Sequence, residues 1–434
     1  MGAGYLSDIP RDWELRRIGS LFIERKELVG AKAHDFLLLS LTLRGVIPRD
    51  MINVSGKLPA DFESYQVVRE RDIVFCLFDV EETPRTVGLA TRSGMVTGAY
   101  TVMAPADNAA DPTFVAYAYF SYDQSKALRP LYAGLRNTIR KQDFRNIVVP
   151  LPPIEEQVAI VAFLDRETAE IDAFIADQEE LIGVLAERRA ATISHAVTKG
   201  LDLSVLMKDS GVPWLGSVPE HWSVGQLKNV GELVLGKMLQ PVESPSAPIL
   251  YRYMRAANVQ PDGHLDLKTS KEMWFSASEI RRLALRRGDV VIVEGGVGGY
   301  GRASFVYKDL VGWAFQNSII RLTPNPECDG RFVTFVFLHL RRVGYIEMVA
   351  SVTSMPHFTL DKAEKTQIAW PDLDEQSRIC DYLDRETAEL DAAFAEAREA
   401  VALSRERRAA LISAAVTGKI DVRDEVWLQT TKRE

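Results

Sequence analysis

The sequence repeats itself at a fixed distance. Leu-Asp-Arg-Glu-Thr-Ala-Glu at 164–170 returns letter for letter at 383–389, 219 positions later. At that offset, without a gap, Pro-Pro-Ile-Glu-Glu-Gln at 152–157 answers Pro-Asp-Leu-Asp-Glu-Gln at 371–376. Glu-Arg-Arg-Ala-Ala at 187–191 answers 406–410, and Ala-Val-Thr at 196–198 answers 415–417. A second offset, 209, carries Ile-Pro-Arg-Asp-Trp at 9–13 onto Val-Pro-Glu-His-Trp at 218–222. Such a period is read before any single element, because it fixes the architecture as A–B–A′–B′. The B units (151–209 and 370–434) are near copies, whereas the A units (1–150 and 210–369) agree at their edges and differ inside. That pattern implies one scaffold, used twice, carrying two different recognition surfaces.

Charge follows the same division. The whole chain of 434 residues carries −8, which counts against a polyanionic partner. The two A units, however, carry +1 and +3, and the two B units −7 and −5. Local sign attracts or repels phosphate, so the A units remain open to nucleic acid. At 47% apolar and 26% charged residues the composition excludes a disordered or collagen-like chain. No stretch reaches the ~18–20 apolar residues of a spanning helix, so no membrane partner is expected. The N-terminus has no basic segment followed by an apolar run, and Leu6 stands where a myristoylation motif needs Ser or Thr. Three scattered cysteines (76, 328, 380) without a Cys-x-x-Cys pair suit a reducing compartment. A cytoplasmic protein is expected.

Each B unit reads as one long helix. It opens on proline and glutamates, runs without proline to a Lys-Gly or Thr-Gly stop, and spaces its apolar residues by three and four. Ile160, Leu164, Ile171, Phe174, Leu181, Leu185, Ile193 and Val197 form the stripe in the first copy. A run of ~44 residues is ~65 Å long at 1.5 Å per residue, too long for an ordinary globular helix. Two matched narrow stripes call for each other, and a two-fold relation would pack them antiparallel. The A units are mixed: short β-branched runs at 72–78, 100–103, 289–294 and 318–322 read as strands, and 111–122 and 330–343 as amphipathic helices. The expected fold is α+β: two mixed domains, two long helices paired as an antiparallel coiled coil, and an internal pseudo-two-fold repeat.

Few motifs promise chemistry. Gly-Val-Gly-Gly-Tyr-Gly at 296–301 matches G-x-G-x-x-G, but the residues after it read as a strand. A dinucleotide or S-adenosylmethionine loop must open a helix, so a glycine-rich hairpin is expected. Asn325-Pro326 matches half of the Asn-Pro-Pro-aromatic signature of amino-methyltransferases; Glu327-Cys328 replaces the rest, leaving a turn. The six histidines form no metal-ligand spacing, and no nucleophile elbow or Walker loop is present. The chain is expected to catalyse nothing alone. The positive signal is basic and amide residues in loop-like stretches. Residues 126–145 hold six basic residues against Asp143, centred on Arg136-Asn137 and Arg140-Lys141-Gln142. Arg, Asn and Gln are the side chains that read guanine and adenine edges bidentately. Tyr251 to Asn258, the arginines at 281, 282, 286 and 287, and Ser354-Met-Pro-His357 add to the set.

The doubled Pro-x-x-x-Glu-Gln helix start, the Leu-Asp-Arg-Glu-Thr-Ala-Glu core, the Glu-Arg-Arg-Ala-Ala end and the Pro-x-x-Trp lead-ins resemble the specificity subunit of type I restriction–modification enzymes. The resemblance spans about 5–421. It implies that each A unit reads one half of a bipartite site in double-stranded DNA. The B helices would set the gap and dock two modification subunits, which would carry S-adenosylmethionine and the adenine N6-methylation chemistry. Where restriction subunits join, they would bring ATP and Mg; this chain itself would hold no cofactor and no metal. The candidate DNA contacts are Arg44, Lys57, Arg136, Asn137, Arg140, Lys141 and Gln142 in A, with Arg252, Arg255, Asn258, Arg302, His357 and Lys362 in A′. The candidate partner contacts are Leu164, Arg166, Glu167 and Arg188, with Leu383, Arg385, Glu386 and Arg407. Two other readings stay open from the residues alone: a self-contained DNA adenine methyltransferase, and a non-catalytic coiled-coil scaffold for proteins.

Overall fold

The computed structural model describes residues 9–42, 45–49, 61–83, 85–296, 299–350 and 356–422. The chain divides into two units: residues 1–179 with 399–434, and residues 180–398. The boundary runs through both long helices, Ile154–Lys199 and Leu373–Val416, so each unit holds one half of each.

In the first unit, strand Glu14–Arg17 pairs antiparallel with Val148–Leu151, Glu14 facing Leu151. In the second, Ser223–Gln226 pairs with Gln367–Trp370, Ser223 facing Trp370. These are the same two positions moved by 209 and 219. The two sequence offsets are therefore the strand register of a repeated closing ladder, in which the chain enters and leaves each domain side by side. Both units then build an antiparallel four-stranded sheet of the same order. It runs Phe22–Glu24, Thr101–Pro105, Ile73–Phe75, Val87–Leu89 in the first. In the second it runs Gly231–Leu235, Ile319–Pro324, Val290–Val293, Ala303–Phe305. Phe22 faces Pro105 and Gly231 faces Pro324, again the same pair. The last hairpin, Val290–Val293 with Ala303–Phe305, brackets the glycine-rich segment, which leads into a strand as its sequence indicates.

The interiors diverge. The first unit adds the pairs Leu39–Thr42 with Gly45–Pro48 and Gln66–Val68 with Gly94–Val96. The second adds a three-stranded sheet of Lys271–Phe275, Ile249–Met254 and Trp313–Phe315. One helix packs against each four-stranded sheet: Pro112–Gln124 capped by the Asp111 carboxylate, and Gly330–Arg342 capped by Asp329.

Within each unit the two long-helix halves pack together. In the first, Asp172 holds Arg408 at 2.8 Å and Glu179 holds Arg405 at 2.8 Å, an antiparallel register. Ile160 and Leu164 share one core with Ile412, Ala415 and Val416. In the second, Arg189 lies 3.2 Å from Asp391, and Ile193 and Val197 share a core with Ile379 and Leu383. The sequence stripe divides its labour in a way its spacing did not show. Its ends, Ile160, Leu164, Ile193 and Val197, are buried in the domain cores, whereas Phe174 and Leu181 near its middle stay half exposed. The ends are where the domains sit on the helices, and a domain covers a wider arc than a single partner helix does.

His339 on the Gly330–Arg342 helix is a consequence of that packing. It is buried against Ser194 of the long helix, with Nδ1 3.0 Å from the hydroxyl, and Nε2 has no hydrogen-bond partner among the described residues. Burial, with Arg342 nearby, pushes the imidazole down to about 4. A depressed pKa contributes stability that is present above the unfolded value near 6.5 and lost as pH falls toward 4. Unfolding in urea at pH 7 and pH 5 is expected to show about 2 kcal/mol of loss in the wild type that His339→Leu does not share. Equal pH dependence in both proteins would refute it.

Candidate nucleic-acid interface

The joint between domain and long helix explains why the repeated residues repeat. Gln157 and Gln376 are fully buried. In the first unit the Asp111 amide donates to Gln157 Oε1 at 2.8 Å, while Nε2 donates to the carbonyls of Pro152 (2.8 Å) and Ala109 (3.2 Å). In the second the Asp329 amide donates to Gln376 Oε1 at 2.9 Å, and Nε2 to Pro371 (2.9 Å) and Glu327 (3.2 Å). Eight residues on, the repeated aspartate takes a domain side chain. Tyr117 donates its hydroxyl to Asp165 at 2.6 Å, and Arg331 donates Nη1 to Asp384 at 2.9 Å. Burial and the Asp165 bond push the Tyr117 phenol up to about 12. Thr168 and Thr387, both buried, bond the carbonyls of Leu164 and Leu383 one turn back. The Pro-x-x-Trp lead-in supplies the next contact. Trp13 meets Phe114 edge-on at 6.3 Å, and Trp222 meets Phe332 at 6.0 Å.

Beyond the joint, two loops of each domain meet. In the first unit the segment after Ile73–Phe75 approaches the hairpin 132–139, joined by Ile139 N–H to the Leu77 carbonyl at 2.8 Å. In the second unit Phe358 N–H reaches the Glu294 carbonyl at 2.8 Å, the equivalent bond. Here the units part in chemistry. The first unit's loop is acidic, with Asp79, Glu81 and Glu82, while the second unit's is glycine-rich, with Gly295, Gly296, Gly299 and Gly301 among the described residues.

Those acids occupy the basic stretch. Arg136 clasps Asp79 through two nitrogens, the Nε bond 2.9 Å long, and lies over the Phe78 ring at 5.2 Å. Arg136 thereby holds the Asp79 carboxyl below the ordinary aspartate range. Asn137 donates to Glu82 at 3.0 Å, and Arg129 pairs with Glu81. Lys141 and Arg145 converge on Glu24. Burial would raise the Glu24 carboxyl, but Lys141, Lys26 and Arg145 outweigh it and hold it low. Lys126 lies 3.8 Å from Asp123. Of the six cations at 126–145, Arg140 alone has no carboxylate partner among the described residues, and it is exposed beside the exposed Gln142. The basic run is a braced surface. Where both partners lie largely in solvent, as in Arg129–Glu81 and Arg136–Asp79, such a pair adds little net stability, so a phosphate can compete for the cation.

In the second unit the candidates separate. Arg252 on Ile249–Met254 is exposed with no carboxylate partner among the described residues, and Glu272 faces it across the ladder. Arg255 is half buried, its Nε without a hydrogen-bond partner among the described residues. Asn258 corrects the sequence reading. Its side chain is fully buried and committed to the backbone, Nδ2 to the carbonyls of Asp266 and Thr269 and Oδ1 to the Arg255 amide. It cannot reach a base edge; it shapes the turn that carries Arg255. Arg302 is half buried, with Nη1 3.5 Å from the Val259 carbonyl. His357 packs on Gly295, where a Cβ would come within 2.4 Å of its ring, and lies 3.4 Å from Glu294. Lys362 donates to the His357 carbonyl at 2.9 Å. Arg44 and Lys57 lie outside the described residues, as do Ser354 and Met355.

The helix candidates also divide. Leu164 and Leu383 are fully buried in their own domain cores, which corrects their assignment as partner contacts. Arg166 pairs with Glu167 at 3.1 Å and lies over Phe163. Arg188 lies 3.9 Å from Glu386 and keeps most of its side chain in solvent, and Arg385 and Arg407 are exposed. Sequence reasoning missed the acidic loop, whose signal was only a run of acids at 79–82. It also missed Gln157 and Gln376 as more than helix-start residues.

No helix among the described residues is long and apolar enough to cross a membrane. The family described as the type I restriction modification DNA specificity domain matches residues 95–181, which hold the Asp111-capped helix, the hairpin and the Gln157 joint. Over 236 residues, 53% of this chain, the sequence is 25% identical to the type I restriction enzyme MjaVIII specificity subunit of Methanocaldococcus jannaschii. Over 184 residues, 41% of this chain, it is 30% identical to the EcoKI specificity subunit of Escherichia coli K12. The matches span 51% and 36% of those relatives, so the chain aligns with about half of their length or less. In fold it is similar to a chain from a structure of type I R-M complex assembly and conformational transition (TM-score 0.64, 18% identity, 95% of this chain and 99% of that one). It is also similar to the HsdS subunit of Thermoanaerobacter tengcongensis (TM-score 0.50, 16% identity, 95% and 98%). The doubled joint, the repeated sheet and the paired helices thus stand beside a specificity-domain match at residues 95–181 and a likeness in fold, over nearly the whole chain, to a solved HsdS subunit.

Proposed function

We propose that this chain is the cytoplasmic DNA sequence-recognition subunit of a type I restriction–modification enzyme and performs no chemistry itself. Each mixed domain reads one half of a bipartite site. The long helices set the gap and dock two modification subunits through exposed charges such as Arg188, Arg385 and Arg407. Those partners carry S-adenosylmethionine and methylate adenine N6; restriction subunits, where they join, supply ATP- and Mg-dependent cleavage. The observation that carries this reading is the pairing of identical joints with unlike loops: one attachment, two surfaces. Sequencing of methylated bases in the host with and without the gene tests it. A two-part adenine-methylated motif that disappears on deletion is expected; an unchanged methylome overturns it.

The unpaired cations give a second measure. Arg140→Ala and Arg252→Ala are each expected to weaken DNA binding by the assembled methyltransferase alike on all sequences. Each should also lower the slope of log affinity against log salt by about 1, the signature of one lost phosphate contact. A loss confined to one base position, with an unchanged salt slope, would instead make that arginine a base reader.

A further inference from the structure

We infer that Gln157 and Gln376 are positioning residues which fix the angle between each recognition domain and its long helix, and so restrict the half-site spacing the protein accepts. The inference rests on the DNA-recognition reading above. A primary amide offers one acceptor oxygen and two N–H donors, and at both joints the oxygen takes a backbone amide and the nitrogen serves two carbonyls. The amide belongs to the residue that caps the domain helix, Asp111 or Asp329. One carbonyl belongs to the loop two residues before that cap and the other to the proline five residues before the glutamine. One side chain thus ties together the start of the domain helix, the loop before it and the turn from closing strand to long helix.

The matching distances in the two units differ by no more than 0.1 Å, although the domains differ inside. A fold needing only buried volume there could use leucine; both copies use a residue whose bonds are directional. The aspartates at 165 and 384 are the second attachment, about 12 Å further along the helix at 1.5 Å per residue. Two directional attachments on one helix face resist pivoting, and loss of the glutamine leaves the aspartate and the non-directional apolar core to hold the angle. A domain of this size reaches roughly 20 Å from its joint, so a tilt of about 10° moves its far face by about 3.5 Å, one base-pair rise.

The test uses the assembled methyltransferase on duplexes whose half-sites stand at the native spacing, one base pair closer and one base pair further apart. The wild type is expected to favour the native spacing strongly. Gln157→Leu should narrow that preference about tenfold while base preference within each half-site stays within about twofold. Gln376→Leu should do the same from the other joint, and Gln157→Glu, which keeps the acceptor and loses the donors, should fall between. Should one variant fail to fold by circular dichroism, the others carry the measurement. Folded variants as strict about spacing as the wild type, or equally relaxed about bases, overturn the inference. A wild-type complex that methylates no two-part site overturns the recognition reading beneath it.

Discussion

Trp222→Ala is expected to lower the unfolding free energy by about 4 kcal/mol. The indole is 1% exposed, meets Phe332 edge-on, and donates Nε1 to Glu375 at 3.2 Å. It also closes over the end of the first long helix. Gly200 sits there with φ of 75°, where a Cβ would lie 3.5 Å from the ring. Alanine would open a void bounded by a domain helix and two long-helix ends, none of which can collapse without breaking the closing ladder. In thermal unfolding the change corresponds to about 10 °C for a unit of this size. Trp222→Phe, which keeps an aromatic ring against Phe332, should cost less than half as much. A loss below about 1 kcal/mol for the alanine variant would show that the lead-in tryptophan does not hold domain and helix together.

Arg331→Met should cost about 3 kcal/mol. The guanidinium bonds Asp329 in the same turn and reaches Asp381 at 2.8 Å and Asp384 at 2.9 Å on the long helix. Burial alone would lower its pKa, but Asp329 and Asp381 outweigh burial and raise it. Methionine fills much of the volume yet leaves three carboxylates facing one another, and Asp329 among them is only 13% exposed. Adding Asp384→Asn to Arg331→Met should recover about 1 kcal/mol in a double-mutant cycle. Strict additivity of the two changes would mean that Asp384 does not hold Arg331, leaving Asp381 as its tie to the long helix.

The sequence was legible where contact is encoded by recurrence. The offsets 209 and 219 are the register of the closing ladder, and the two long helices run where their proline-free stripes place them. It was not legible where meaning lies in a distant partner. Arg136 and Asn137 sit in a basic run, but the acids that hold them are 57 and 55 residues away. Nothing local distinguishes a free arginine from a clasped one. Asn258 has the side chain of a base reader and the burial of a turn-former, and only the fold tells these apart. Gln157 reads as the close of a helix-start motif, since its partners at Ala109 and Asp111 lie on another element. Leu164 and Leu383 carry the strongest repeat signal in the chain, and that signal marks an internal joint.

The order of synthesis meets an obstacle in the way the first unit is composed. Its core joins Trp13, Phe114, Ile160 and Leu164 to Ile412, Ala415, Val416 and Val422, from opposite ends of the polypeptide. Gly418, with φ of 71°, rests on Pro10 and Trp13 so closely that a Cβ would come 2.4 Å from the proline ring. The second unit is a single unbroken stretch, 180–398. As the nascent chain leaves the ribosome, the module translated later can therefore bury its interior first. The earlier one waits roughly 10–45 s, at ordinary elongation rates, for the closing helix to emerge. Through that interval Trp13, though packed on Phe114, and Leu164 lack the side of their core that Ile412, Ala415 and Val416 supply. A ribosome that stalls before residue 412 releases a half-finished module with that apolar side open to solvent.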